Sequence, residues 1–247
     1  YAFGAEDVEC AATVLASARQ GRADFWELEA AARGHGWRLA SDGRPLQASA
    51  FRPLALCRGR SLLLAFHGTD VNEPRQLASA VRSAVLGFVP HALYLEALLW
   101  ARRLVHRHQP RRVVLAGHSM GGALSEMLAV HFTSSCSADR LPGCVERLGA
   151  VTFDTPSFPL RAFRESLQLE GEHERRAILQ YKSSPNVINT LFPPVGAEVR
   201  RVAIPHCDDL QFGSSDALAD AGRLLLDCVA MYPTLKEPLL TLKAGAA

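Results

Sequence analysis

The stretch that most constrains the fold of this chain lies at residues 113–124, where an apolar segment leads into a serine between two glycines. Residues 117–121 read Gly-His-Ser-Met-Gly, which matches the pattern G-x-S-x-G. In a strand-turn-helix context this pattern forms a sharp turn that exposes its serine, and the glycines are needed because strand and helix pass too close for side chains. We therefore predict a strand at 113–116, an exposed Ser119, and a helix from Ala123 to about Phe132.

The position of Ser119 at the start of a helix favours chemistry on a carbonyl group. The first N–H groups of a helix have no partner within it, so they can stabilise negative charge on a carbonyl oxygen that the serine attacks. This combination suits acyl transfer. A glycine-rich turn without chemistry would show the same pattern, but the apolar strand before it, His118 inside it and the apolar helix after it favour the first interpretation.

Apolar segments alternate with helical periodicities along the chain, which is typical of an α/β fold with a mostly parallel central sheet flanked by helices. Strands are predicted at 48–57, 61–66, 113–116, 148–153, 177–182 and 198–204, helices at 5–33, 71–87, 93–106, 123–132, 160–175 and 215–231, and a loop at 34–44. We expect a single domain over residues 1–247, with residues 1–46 as a helical segment that covers it. Such sheets place their chemistry at the carboxyl ends of the strands.

Charge and composition exclude several functional classes. Lysine and arginine number 27 against 25 acidic residues, so nothing indicates a nucleic-acid surface. Every apolar run is interrupted before the roughly 18 residues that cross a bilayer, so no transmembrane segment is predicted. The six cysteines include no C-x-x-C pair, which argues against a zinc site. Cys136 and Cys144 flank a short loop and are either a small disulfide, in an oxidising compartment, or free thiols.

Three motifs stand at the ends of predicted strands: Ala-Phe-His-Gly-Thr at 65–69, Gly-His-Ser-Met-Gly-Gly-Ala-Leu at 117–124, and Val-Thr-Phe-Asp-Thr-Pro at 151–156. With these motifs and Phe-Pro-Pro at 192–194, residues from about 50 to 206 resemble the class 3 lipases, the α/β-hydrolase family that also contains fungal triacylglycerol lipases. The resemblance implies an α/β-hydrolase fold.

The resemblance also assigns roles to residues around the serine. It implies that Ser119 is the nucleophile and that backbone N–H groups of Thr69 and Met120 form an oxyanion hole, to which the Thr69 hydroxyl adds a third donor. The family has arginine where this chain has His67. This departure affects the anchoring of the loop before Thr69 and leaves the donors themselves in place.

A serine hydroxyl needs a base, and His206 is the predicted one. The order of the triad along an α/β-hydrolase chain is serine, acid, histidine, and only His131, His173 and His206 follow Ser119. His131 falls on the helix after the serine, and His173 lies in a charged segment typical of a solvated surface. His206 follows a predicted strand, which is where the base belongs.

The acid that orients the base departs from the family pattern. The resemblance places it in the loop after the strand at 177–182, where this chain has Asn186. An asparagine can orient a histidine, but it cannot stabilise an imidazolium by charge. Asp154 ends the preceding strand and is followed by Thr-Pro, as in lipases of the pancreatic type, so we predict a triad of Ser119, His206 and Asp154, with Asn186 as the alternative orienter. Asp208 and Asp209 are too close to His206 in sequence.

These residues predict hydrolysis of a lipid carboxylic ester, of the triacylglycerol lipase or phospholipase type, through an acyl-serine intermediate and without a metal or organic cofactor. Residues 71–88 form either a lid that opens in transient contact with a lipid surface or a helix packed permanently on the core. Two alternatives remain open, a non-catalytic lipase-like binding or signalling protein and a lipid acyltransferase.

The chain begins at Tyr1, with neither a methionine nor a basic-then-apolar leader. We therefore expect a processed form or a piece of a larger protein, secreted or delivered as an effector.

Overall fold

A computed structural model describes residues 7–8, 10–11, 30, 32–40, 53–67, 89, 91–134, 141, 143–156, 158–167, 178–182, 194–195 and 198–201. All of them fall within one compact unit, Tyr1–Ala203. The predicted helices at 71–87 and 215–231 lie outside the described residues, so the single domain over residues 1–247 stays a prediction.

Seven strands in the described part of the chain form one sheet, and they stand in it in sequence order. The first three pair antiparallel, and the strands from the third to the seventh pair parallel. They are β1 (Arg38–Leu39), β2 (Leu54–Arg58), β3 (Ser61–Phe66), β4 (Arg112–His118), β5 (Arg147–Phe153), β6 (Ile178–Lys182) and β7 (Glu198–Arg201). The mostly parallel sheet that the sequence predicts is therefore confirmed.

Three helices in the described stretches flank this sheet: α1 (His91–His108), α2 (Met120–Thr133) and α3 (Leu160–Ser166). Each runs between two parallel strands, α1 from β3 to β4, α2 from β4 to β5 and α3 from β5 to β6, as crossover connections require. Residues 120–132 of α2 are all buried, and most of them are apolar or glycine, as expected for a helix that lies inside the protein. None of the helices in these described stretches is long and apolar enough to cross a membrane.

Both faces of the sheet are covered by apolar side chains, which explains the unbroken apolar runs in β3 and β4. Leu62, Leu64 and Phe66 of β3 belong to the larger core, which includes side chains of α1 and α2. Leu63 and Ala65 point to the opposite face and belong to a second core, which also contains Cys10, Ala11, Ala32 and Trp37. The described N-terminal residues therefore pack on the face that α1 and α2 leave open.

Some element bounds differ from the sequence prediction. The predicted loop at 34–44 contains β1, which is only two residues long and is held by pairing to β2. The predicted strand at 48–57 is described only from Pro53, and β2 begins at Leu54, directly after that proline. The helix predicted at 160–175 ends at Ser166 in the described residues. Cys144 is a free thiol whose Sγ lies 3.2 Å from Gln109 Oε1, so the disulfide alternative is not formed.

A buried ion cluster ties the N-terminal residues to the sheet. The Asp7 carboxylate is 1% exposed and accepts hydrogen bonds from Arg112 at 2.6 and 3.0 Å and from Arg58 at 2.8 Å. The Arg58 guanidinium also lies over the Trp37 ring, 4.8 Å from its centroid. Arg112 begins β4, so this cluster lies at the opposite end of that strand from Ser119.

We expect Asp7→Ala to lower the free energy of unfolding by about 3 kcal/mol, because it leaves two partly buried guanidinium groups without their shared carboxylate. Urea unfolding followed by circular dichroism measures this change. Glu165→Ala is the matched control, because it breaks the ion pair between Arg161 and Glu165, which are 92% and 64% exposed. Water screens such an exposed pair, so the unfolding midpoint should barely change. Equal unfolding midpoints for the two variants would contradict the role assigned to Asp7.

Candidate active site

Ser119 occupies the sharp turn between β4 and α2, as the motif predicts. It has φ of 53° and ψ of −125°, a backbone conformation that residues other than glycine rarely adopt. Such conformations cost about 1–3 kcal/mol and persist where the surrounding structure enforces them. The helix begins at Met120 and not at Ala123 as predicted, so Ser119 directly precedes its first turn.

The two glycines of the motif are required by close backbone contacts. A Cβ atom on Gly117 would lie 2.1 Å from the carbonyl oxygen of Gly121, and one on Gly121 would lie 2.2 Å from that of Phe66. Neither contact can be relieved by turning a flexible side chain. The strand and the helix therefore approach as closely as the sequence pattern predicts.

The first turn of α2 closes directly on Ser119. The Ser119 carbonyl accepts the N–H groups of Gly122 at 2.9 Å and Ala123 at 3.1 Å, and the N–H of Met120 precedes them in the first turn. A Cβ on Gly121 would lie 2.2 Å from the carbonyl oxygen of Phe66 and 2.4 Å from that of His67, so the end of β3 adjoins the turn. Thr69 follows His67 by two residues, a reach of about 7 Å, but it lies outside the described residues.

Asp154 directly follows β5, whose last residue is hydrogen-bonded to the serine. The Ser119 N–H donates to the carbonyl of Phe153 at 3.0 Å, and the Asp154 N–H donates to the carbonyl of Tyr181 at 2.9 Å. Asp154 has φ of 45°, a left-handed conformation that aspartate tolerates better than most residues. Thr155 is fully buried, and its Cβ lies 2.9 Å from where a Cβ on Gly122 would be. The segment carrying Asp154 is therefore fixed against the first turn of α2.

The structure places some of the other residues weighed as base or orienter and not others. His131 lies on α2, is 7% exposed and has its Nδ1 2.7 Å from the Tyr94 hydroxyl, which confirms its placement away from the strand ends. The predicted base His206, the alternative orienter Asn186, and His173 lie outside the described residues, as does the lid segment. In the stretches that are described, no group of three or more histidine, cysteine, aspartate or glutamate residues could hold a metal ion.

A buried carboxylate beneath the site is a feature that the sequence analysis missed. Glu126 on α2 is fully buried, and its Oε1 accepts hydrogen bonds from Thr152 Oγ1 at 2.7 Å and Gln180 Nε2 at 2.6 Å. Lys182, 3% exposed, adds a positive charge nearby. Burial raises the pKa of Glu126 to about 7, against the lowering effect of the two hydrogen bonds and of Lys182. The available signal was the presence of polar residues in otherwise apolar segments of α2 and β6.

The raised pKa of Glu126 predicts that the stability of the protein depends on pH. In the folded protein the Glu126 carboxyl keeps its proton up to about pH 7, whereas the ordinary pKa of a glutamate carboxyl is 4.5. Between these two pH values the folded state therefore binds more protons than the unfolded state. The free energy of unfolding therefore falls as the pH rises through this window, by about 3 kcal/mol from this group.

Glu126→Gln isolates that contribution because glutamine stays neutral. Urea unfolding of both proteins between about pH 5 and pH 8 should show the variant gaining stability relative to the wild type as the pH rises. A stability difference that stays constant across this range would contradict the raised pKa.

The mostly parallel sheet with a serine turn between β4 and α2 defines an α/β-hydrolase. Residues 74–191 match the family described as Lipase (class 3). This match covers just under half of the chain, confirms the resemblance to the class 3 lipases inferred from the motifs, and supports a lipase-type hydrolase. No curated protein sequence matches the chain.

Several solved structures of fungal lipases are similar to this chain. A lipase from Rhizopus microsporus var. chinensis is 14% identical, with a TM-score of 0.48 over 76% of this chain and 69% of that one. Lipase II from Rhizopus niveus is 15% identical, with a TM-score of 0.46 over 74% and 72%. The Rhizomucor miehei lipase propeptide complex is 12% identical, with a TM-score of 0.45 over 76% and 62%.

Proposed function

We propose that the protein hydrolyses carboxylic esters of lipids through an acyl-serine intermediate on Ser119. The observation that carries the proposal is the strained turn at Ser119, whose N–H is bonded to the residue directly before Asp154. A partly exposed serine at a helix start, with a carboxylate on the neighbouring strand end, is the arrangement that an acyl-transfer triad needs.

In the proposed reaction, the Ser119 Oγ attacks the ester carbonyl carbon while His206 accepts its proton. The N–H groups of Met120 and Thr69 stabilise the negative charge that develops on the carbonyl oxygen. Collapse of the tetrahedral intermediate releases the alcohol, which takes the proton from His206. Water, deprotonated by His206, then cleaves the acyl-serine and releases the carboxylic acid.

Asp154 is the proposed orienter of His206. Its backbone is fixed beside Ser119 by the two strand-end hydrogen bonds and by the contact of Thr155 with Gly122. A carboxylate also stabilises the imidazolium by charge, which Asn186 cannot do.

Contact with a lipid surface belongs to the same proposal. Helix α1 connects parallel strands, so it begins at the edge of the sheet that carries Ser119. Leu95 and Leu99, one turn apart in the first half of α1, are 41% and 55% exposed. We propose that these side chains and a lid at 71–88 meet a lipid surface transiently, as suits a secreted or delivered effector-like protein.

The test is hydrolysis of a soluble p-nitrophenyl ester, emulsified triacylglycerol and phosphatidylcholine vesicles by the wild type and by Ser119→Ala. We expect the wild type to cleave at least one lipid ester and the variant to lose activity about a thousandfold or more. An added alcohol acceptor shows whether water remains the preferred acceptor, which separates hydrolase from acyltransferase. A wild type inactive on all three substrates would favour the binding or signalling alternative.

A further inference from the structure

Glu126 joins three elements directly beneath the proposed site. It lies on α2, seven residues after Ser119, and the two groups that it binds are side chains of β5 and β6. Thr152 and Gln180 are paired residues in the register of these two strands. One carboxylate oxygen therefore holds both strands and the helix at the same level of the sheet.

The next residue of each strand carries a hydrogen bond that fixes the site. Phe153 follows Thr152, and its carbonyl accepts the Ser119 N–H. Tyr181 follows Gln180, and its carbonyl accepts the Asp154 N–H. The Phe153 and Tyr181 rings stack with centroids 5.4 Å apart and planes at 16°, a contact that also joins the two strand ends. The carboxylate thus acts one residue away from both bonds.

A contribution to stability does not by itself explain why a carboxylate is buried at position 126. Burying a carboxylate is costly, and an apolar side chain of similar size often gives equal or greater stability. The second oxygen, Oε2, has no hydrogen-bond partner among the described residues, so the site does not fully compensate the burial. What the carboxylate provides that an apolar side chain would not is a directional link from α2 to both strand ends.

We propose that Glu126 is a positioning residue, which holds Thr152 and Gln180 so that Asp154 and Ser119 keep their relative placement. Glu126 is fully buried and lies about 10 Å along the helix from Ser119, so it acts through other residues and not on the substrate. The catalytic meaning of this inference rests on the proposed function.

The experiment compares kcat and KM for a p-nitrophenyl ester across Glu126→Ala, Glu126→Gln, Thr152→Val and the wild type. We expect Glu126→Ala to lower kcat about thirtyfold while KM changes less than about twofold, because a misplaced triad slows the chemistry without removing substrate contacts. Glutamine keeps an oxygen acceptor and should recover most of the loss. Thr152→Val removes one bond and should lower kcat about fivefold, even if Glu126→Ala fails to fold.

Asp7→Ala is the matched control, since it removes another buried carboxylate, bonded to Arg112 at the far end of β4. The Asp7→Ala protein should be less stable than the wild type, but its kcat, measured on folded protein, should equal that of the wild type. A kcat for Glu126→Ala or Thr152→Val that matches that of Asp7→Ala would overturn the proposal.

Amide hydrogen exchange tests the placement independently of catalysis. We expect the Ser119 and Asp154 amides to exchange at least about tenfold faster in Glu126→Ala, or in Thr152→Val, than in the wild type. Unchanged exchange at both amides would overturn the positioning role even if the wild type hydrolyses esters. A wild type that cleaves no ester would instead overturn the proposed function, and the exchange rates would still decide the placement.

Discussion

Asp154→Asn is expected to lower kcat for ester hydrolysis by about a thousandfold or more, with little change in KM. Asparagine at this position keeps the shape of the side chain, but it cannot stabilise the positive charge that His206 acquires when it accepts the serine proton. The carboxylate makes no proposed contact with the substrate, which is why the loss should fall on kcat. Steady-state kinetics on a soluble ester measure both constants.

The rival orienter provides the control for this prediction. Asn186→Ala should leave kcat within about threefold of the wild type if Asp154 orients the base. The reverse pattern, with near wild-type turnover for Asp154→Asn and collapse for Asn186→Ala, would show that the acid role lies in the loop after β6. The triad would then consist of Ser119, His206 and Asn186.

Gly121→Ala is expected to destabilise the protein by more than about 4 kcal/mol, which exceeds the usual cost of overpacking. The added Cβ would lie 2.2 Å from the Phe66 carbonyl oxygen and 2.4 Å from that of His67, and both contacts are with backbone. Relief requires that α2 move away from the end of β3, which would separate the proposed oxyanion donors. Urea unfolding measures the stability, and ester turnover under folding conditions measures the activity.

Gly34→Ala is the matched control. A Cβ at this helical position has no atom within 4 Å, so the change should be neutral or stabilise by up to about 1 kcal/mol. Equal urea midpoints for Gly121→Ala and Gly34→Ala would contradict the close contact between the start of α2 and the end of β3.

The sequence was sufficient for the features that have strong local patterns. Residues 61–66 and 113–118 are apolar runs covered on both faces, and the glycine spacing around Ser119 specifies the turn. The helix start was predicted three residues late because Met120 to Gly122 contain two poor helix formers, whose cost the close packing against β3 and Thr155 outweighs.

Features that depend on contacts between distant elements were not predictable. β1 is two residues long, with no periodicity of its own, and exists because it pairs with β2. The Glu126 contacts depend on the register of β5 and β6, which places Thr152 opposite Gln180. No local pattern specifies that pairing. Asp154 was predicted from its place at a strand end, whereas its left-handed backbone and its bond to Tyr181 required the neighbouring strand.

Ser119 is proposed as a nucleophile that is activated by a base, which Asp154 orients. The most direct test of this proposal is the rate at which a fluorophosphonate probe labels the folded protein, with the modified peptide mapped by mass spectrometry. We expect labelling at Ser119, no labelling in Ser119→Ala, and labelling slowed about a hundredfold or more in Asp154→Asn. A folded wild type in which Ser119 stays unlabelled, or in which Asp154→Asn labels at the wild-type rate, would contradict it.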